Sequence, residues 1–287
     1  MRTLACLAFS LGAALTAHAQ PRMVNVGDAR IRYDVTGEGP AVVFIHGWAQ
    51  DLSIWDKQAR AFAPRYRVVR FDRRGFGEST GHADGSRDPA DLLALLDSLG
   101  IRTAHVVGLS AGARTAINFA ASYPDRTSAL VYYGGGPVAE FPGMTGPNPQ
   151  ALFSEVARVH GVDSVRRFIL GSPLFWDPPN RPDLVALKQR MVAAYAGRDL
   201  VDPRPESGRV PDARWSQLPG MRVPTLIVNG DHDFPDFLIV ADSLVRRMPN
   251  ARRVVIKNGG HGAHFAQPQD FNTALLEFFA SVERLPQ

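Results

Sequence analysis

Ser110 stands at the centre of Gly108-Leu109-Ser110-Ala111-Gly112, after the apolar run Ala104-His105-Val106-Val107 and before a helix-like stretch from Ala113 to Tyr123. Strand, sharp turn and helix is the setting in which Gly-x-Ser-x-Gly lifts a serine hydroxyl above a sheet edge. The two glycines leave room for strand and helix to pass closely. A serine hydroxyl is a weak nucleophile until a base takes its proton, and the usual base is a histidine held by a carboxylate. Of the eight histidines, His261 is the best placed, on the glycine-rich loop Asn258-Gly259-Gly260-His261-Gly262 after the strand-like Arg253-Val254-Val255-Ile256. The candidate carboxylate is Asp233, in Gly230-Asp231-His232-Asp233 after the strand-like Thr225-Leu226-Ile227-Val228, with Asp231 its nearer rival. Serine, histidine and aspartate on three loops after three strands would perform acyl transfer through a covalent intermediate.

The elements that must position these residues follow from periodicity. Short β-branched runs at Arg30 to Val35, Val42 to Ile45, Arg67 to Phe71 and Ser128 to Tyr133 read as further strands, and the strand before Asp233 spans Val223 to Asn229. Leu52 to Ala63 reads as a helix with Ile54, Trp55, Ala59 and Phe62 on one side. Asp88 to Leu99 reads as another, with Pro89 in its first turn and Gly100 as its stop. Apolar strands separated by helices imply a parallel sheet covered on both faces.

After Tyr133 the pattern breaks. A Gly/Pro-rich passage leads into helical stretches at Gln150 to His160, Asp163 to Leu170 and Pro182 to Ala196. A proline-punctuated return follows, with Pro203, Pro205, Pro211 and Pro219. The chain between Ser110 and Asp233 is far longer than two strands and their connections require. The surplus reads as a helical cap over the site. Its apolar residues Phe153, Phe168, Leu174, Phe175 and Trp176 could line an acyl or alcohol pocket. Residues at helical spacing more often form a cap's own core.

The whole pattern resembles the α/β-hydrolase superfamily over nearly all of the chain. His46-Gly47-Trp48, after Val42-Val43-Phe44-Ile45, resembles that family's oxyanion-hole loop. Asp72-Arg73-Arg74-Gly75-Phe76-Gly77-Glu78-Ser79 resembles its Asp-x-Arg-Gly-x-Gly-x-Ser turn. His261 to Pro268 resembles its histidine loop, except that the family usually has an acidic residue near the position of Ala266. The order serine, acid, histidine is also the family's. The resemblance implies an α/β fold with a mostly parallel central sheet, helices on both faces and an inserted helical cap. It places the hydrolase core at 20–136 and 220–287 and the cap at 137–219. The pattern Gly-x-x-Asp favours Asp233 over Asp231. The oxyanion-hole donors would be the backbone N–H groups of Trp48 and Ala111. His46 and Asp72 take structural roles, and His264 a packing role.

Composition bounds the rest. The chain has 287 residues, 45% hydrophobic and 21% charged, enough for one large domain plus an insertion. Arg2, an apolar run from Leu4 to Leu15 and Ala17-His18-Ala19 read as a signal peptide spanning 1–19, cut after Ala19. The run is too short to span a bilayer, which takes ~20 residues. The protein is then expected in the periplasm or secreted, with no integral membrane segment in the mature chain. Cys6, the only cysteine, would be removed with the leader, leaving no disulfide. Net charge is +4, and the arginines are scattered without an aromatic stripe, which argues against nucleic-acid binding. Asp231, His232, Asp233 and Asp236 lack metal-ligand spacing. Neither a metal nor another cofactor is expected.

The reaction read from these residues is hydrolysis of a small-molecule carboxylic ester or lactone. Activity should rise through about pH 6–7 as a histidine base loses its proton. The same triad could instead cleave a C–C bond or transfer the acyl group to another acceptor. Serine at position 110 argues against the dehalogenases and epoxide hydrolases, which use aspartate there. No acidic cluster marks the cap as a peptidase's amine site. A ligand-binding protein of the same fold, without turnover, is the reading of another class.

Overall fold

The computed structural model describes residues 22–142, 149–171, 181–201 and 212–284. The expected leader with Cys6, and Leu174, Phe175 and Trp176, lie outside the described residues. The strands are β1 (Arg22–Val26), β2 (Ala29–Thr36), β3 (Ala41–Ile45), β4 (Arg67–Phe71), β5 (Ala104–Leu109), β6 (Thr127–Tyr133), β7 (Thr225–Gly230) and β8 (Ala251–Ile256). They form one sheet in the order β1-β2-β4-β3-β5-β6-β7-β8. β2 runs antiparallel to both neighbours, and every other pairing is parallel.

Helices of the core are α1 (Asp56–Phe62), α2 (Asp88–Ser98) and α3 (Ala111–Ser122). The insertion carries α4 (Pro149–His160), α5 (Val162–Gly171), α6 (Pro182–Ala194) and the short α7 (Arg198–Val201). The core resumes with α8 (Pro235–Arg247), α9 (Ala263–Ala266) and α10 (Pro268–Glu283). The stretch expected as one helix from Leu52 divides. Leu52–Trp55 winds as a 3-10 turn, with the Asp51 side chain accepting from the Ser53 N–H, and α1 follows. Gly100 stops α2 with φ 65°, and Ile101 N–H donates back to the Leu96 carbonyl at 2.9 Å.

The strands read as continuous apolar runs because both faces are covered. Side chains alternate along a strand. Val43 and Ile45 of β3 therefore join one cluster, with Leu92 and Leu96 of α2 and Ile117 of α3. Val42 and Phe44 join the other, with Trp55, Phe62 and Phe271 of α10. Phe44 is fully buried between Trp55 and Phe62. Truncating it to alanine should cost about 3–5 kcal/mol.

Two features tie the insertion to the sheet. Ala139 bridges Arg214, so the chain leaving β6 and the chain returning to β7 run side by side. Asn118 on α3 accepts from Ala213 N–H at 2.8 Å. The sheet's carboxyl edge thus carries the loops after β3, β5, β6, β7 and β8.

Candidate active site

Ser110 caps the N-terminus of α3 with φ 56° and ψ −117°. A non-glycine residue held there carries strain on the order of 1–3 kcal/mol. Hydrogen bonds impose it. Ser110 N–H donates to the Tyr133 carbonyl of β6 at 2.9 Å, and the Ser110 carbonyl accepts from Ala113 N–H at 2.9 Å. The flanking glycines are steric necessities. A Cβ on Gly108 would lie 2.1 Å from the Gly112 carbonyl oxygen, and one on Gly112 would lie 2.5 Å from the Ile45 and His46 oxygens.

The loop after β3 passes against this turn, since a Cβ on Gly47 would lie 3.3 Å from Ser110 Cβ. Its shape is fixed by two side chains. Gln50 Oε1 accepts Gly47 N–H at 2.8 Å. His46 Nε2 accepts Arg73 N–H at 2.9 Å, so its Nδ1–H donates to the Gly47 carbonyl at 2.7 Å. The Gly47–Trp48 peptide is planar and trans, so the carbonyl and the Trp48 N–H point opposite ways. Clamping one to the His46 ring turns the other away from it. Burial, then the Arg73 charge, lowers the His46 pKa to about 3, which keeps this tautomer neutral. As first residue of α3, Ala111 has no intrahelical acceptor for its N–H.

The loops after β7 and β8 bring Asp233 and His261 together. His261 Nδ1 lies 2.9 Å from Asp233 Oδ1, with both side chains buried. Asn229 Nδ2 donates to Asp233 Oδ2 at 2.8 Å, and Phe234 N–H donates to Oδ1 at 2.9 Å. Burial alone would raise the Asp233 pKa. The His261 hydrogen bond and charge, with Asn229 and Phe234, outweigh it and hold the carboxyl below its usual value. Asp231 points elsewhere and accepts Gly259 N–H at 3.1 Å, bracing the loop that carries His261. Gly134 closes the third side, because a Cβ there would lie 3.0 Å from His261 Nδ1 and 3.2 Å from Asp233 Oδ2.

Tyr133 was not legible as a site residue. Its phenol donates to the His261 carbonyl at 2.7 Å and accepts from the His264 main chain at 3.2 Å. His264 is wholly buried beside Trp55 and Phe265, with Nδ1 3.1 Å from the same phenol. Asn229 was missed too, although a polar residue near the end of an apolar strand is a usable signal. Asp72 is occupied in the turn. It accepts N–H bonds from Leu52 and Glu78, both at 2.8 Å, and burial raises its pKa to about 6. Phe153 stacks on Trp48 at 4.9 Å, packing α4 onto the loop after β3. Phe168 packs against Phe153 at 5.3 Å with the rings tilted, and is half exposed. Among the described residues no group of three or more His, Cys, Asp or Glu is placed to hold a metal ion, and no helix is long and apolar enough to cross a membrane.

The family model of the alpha/beta hydrolase fold matches residues 40–268. The chain belongs to that family, and it is a hydrolase. A provisionally named carbamate hydrolase of Azorhizobium caulinodans is 27% identical over 269 residues, covering 90% of this chain and 98% of that one. A 2-hydroxy-6-oxononadienedioate/2-hydroxy-6-oxononatrienedioate hydrolase of Burkholderia vietnamiensis is 30% identical over 284 residues, covering 92% and 96%. Among solved structures, a thermophilic esterase from Thermogutta terrifontis superposes with a TM-score of 0.80 at 24% identity, covering 92% of this chain and 99% of that one. That last likeness concerns the fold alone.

Proposed function

We propose that the protein is a serine hydrolase that cleaves a small-molecule carboxylic ester or lactone through an acyl-enzyme. Ser110 Oγ attacks the carbonyl carbon while His261 Nε2 takes its proton. The imidazolium then gives that proton to the leaving alcohol. Asp233 holds Nδ1–H, which fixes the tautomer and stabilises the cation. The N–H groups of Trp48 and Ala111 receive the developing oxyanion, where losing one donor typically costs about 3–4 kcal/mol. Water activated by His261 releases the acid. What carries the reading is the pairing of His261 with Asp233 at 2.9 Å, on loops adjoining a serine held at positive φ.

A C–C bond hydrolase is the second reading. It draws on the relative at 30% identity, whose named substrate contains no ester. Hydrolysing such a dienedioate must break a carbon–carbon bond. The same serine, base and donors would serve, with a carbanion in place of the alkoxide as leaving group.

A substrate panel separates the two. Short p-nitrophenyl esters, γ- and δ-lactones and a vinylogous 1,5-diketo acid would be assayed with wild type and Ser110→Ala. Ester or lactone turnover that disappears in Ser110→Ala supports the first reading. Turnover of the diketo acid alone replaces it with the second. Ligand binding without turnover of any of them overturns both.

A further inference from the structure

We propose that Asp199 is a positioning residue that couples the seating of the cap to the oxyanion-hole loop, by holding the indole of Trp48. The inference rests on the reading of Trp48 N–H as an oxyanion donor and goes beyond it.

Asp199 lies on α7 of the insertion and is 4% exposed. Its two oxygens are divided between two neutral donors. Oδ2 accepts Trp48 Nε1–H at 2.8 Å, and Oδ1 accepts the Tyr195 phenol at 2.6 Å. A buried carboxylate between neutral groups is an expensive way to join two surfaces, and apolar packing would do so at lower cost. What the carboxylate adds is direction, because a charge-assisted hydrogen bond fixes where the indole edge points.

The direction bears on the loop. Trp48 sits between Gly47, whose carbonyl is clamped by His46, and Ala49, which is held at φ 58°. The Gly47 side of the Trp48 backbone is held by the His46 clamp, while Ala49 on the other side sits in a strained left-handed conformation, so the grip on the Trp48 side chain bears on whether the residue keeps its place between them. Trp48 packs against a cluster shared by the core and the insertion, and its directional partners among the described residues, in ring contacts and hydrogen bonds, lie in the insertion. Phe153 of α4 stacks on its face, Tyr195 packs edge-on at 5.6 Å, and Asp199 takes its N–H. Tyr195 is itself fixed, since Arg166 of α5 donates to its carbonyl at 2.9 Å through Nε. Arg198, beside Asp199, donates to the Gly77 carbonyl at 2.8 Å and so anchors α7 to the core. With the cap seated, the indole is locked and the Trp48 N–H is held in its place. A cap that lifts withdraws Asp199, Tyr195 and Phe153 together and releases Trp48.

The test uses the full-length protein and four forms: wild type, Asp199→Asn, Trp48→Phe and the double variant. Trp48→Phe keeps an aromatic ring and the main-chain N–H but removes the indole N–H together with part of the bicyclic ring. For each form, active sites are titrated with a fluorophosphonate. Then kcat, KM and the labelling rate are measured with a short p-nitrophenyl ester, alongside Tm. Asp199→Asn should lower kcat and the labelling rate together by at least 10-fold, with KM changed less than 3-fold. Trp48→Phe should do the same, and the double variant should fall little further. If the effects on kcat multiply, or if Asp199→Asn lowers only Tm and the titrated fraction while kcat per site stays at the wild-type value, the proposal is wrong. Should Asp199→Asn not fold, Trp48→Phe decides: a 10-fold loss of kcat at unchanged Tm supports the coupling, and unchanged kcat refutes it. A wild-type protein that neither labels nor turns over ester defeats the serine-hydrolase reading, and this proposal falls with it. Wild-type turnover with multiplicative variants defeats this proposal alone.

Discussion

Tyr133 and His261 are joined by a 2.7 Å hydrogen bond from the phenol of one to the main-chain carbonyl of the other. The same Tyr133 accepts Ser110 N–H on its own carbonyl at 2.9 Å. One residue at the end of β6 thus registers the serine turn on one side against the histidine loop on the other. Burial keeps the phenol neutral, with its pKa pushed well above the usual value, so it remains a donor at any working pH.

Tyr133→Phe removes that tie while keeping the ring. It leaves the His261 carbonyl and the His264 N–H without their partner, which should cost about 1–3 kcal/mol of stability. Misregistering the base should also lower kcat about 10-fold, on the scale of small positional errors at an active site. Urea melts and steady-state kinetics check both. Wild-type stability together with wild-type kcat would show that the phenol registers nothing.

Asp233 and Asp231 give opposite expectations although they are two residues apart. Asp233→Asn presents an amide to His261 Nδ1 and favours the wrong tautomer. The same change in a Ser-His-Asp triad costs roughly 10⁴ in kcat. Asp231→Asn can still accept Gly259 N–H and should cost less than about 10-fold. Equal losses in the two variants would mean that the acid has been misassigned.

Acid stability depends on buried neutral histidines. His46 has a folded pKa of about 3 against 6.5 in the unfolded chain. Between those values the unfolded chain binds a proton that the fold excludes, so stability falls as pH falls through this window. At pH 5 the loss from His46 alone is about 2 kcal/mol. His264 adds to it, since burial and then the His261 charge hold its pKa well below the usual value. Asp72 acts in the opposite sense. With its pKa raised to about 6, it stabilises the fold as pH falls toward 3.8, offsetting about 1 kcal/mol at pH 5. Urea denaturation at pH 7 and pH 5 should show a net loss on acidification. His46→Gln should shrink the difference between the two by about 2 kcal/mol. An unchanged difference would contradict the assignment of His46 as a buried neutral clamp.

Local signals were read well and distant partnerships were not. β4 falls on Arg67–Phe71, the short β-branched run that marked it out, and α4 begins at Pro149, one residue before the expected start. β1 is hard to read from sequence because it is a five-residue edge strand whose apolar residues are interrupted by Asn25 and do not form a run. α8 and α10 were also unassigned, although each opens with proline at its first position. The Leu52 stretch reads as one helix in sequence because periodicity over so few residues cannot separate a 3-10 turn from an α-turn. Ser110, Asp233 and His261 stand out in the sequence because each sits in a short glycine-rich motif after a strand. Tyr133 and Asp199 have no such motif. Their meaning lies in partners 128 and 151 residues away, which only the folded chain brings near.

The most direct measurement is fluorophosphonate labelling of the folded protein, with the modified peptide mapped by mass spectrometry. The account predicts a single adduct, on Ser110, formed in wild type and absent in Ser110→Ala. It further predicts slow labelling in Asp233→Asn, where the base is misoriented. An adduct on another serine, or none in folded protein that still hydrolyses an ester, would contradict Ser110 as the nucleophile.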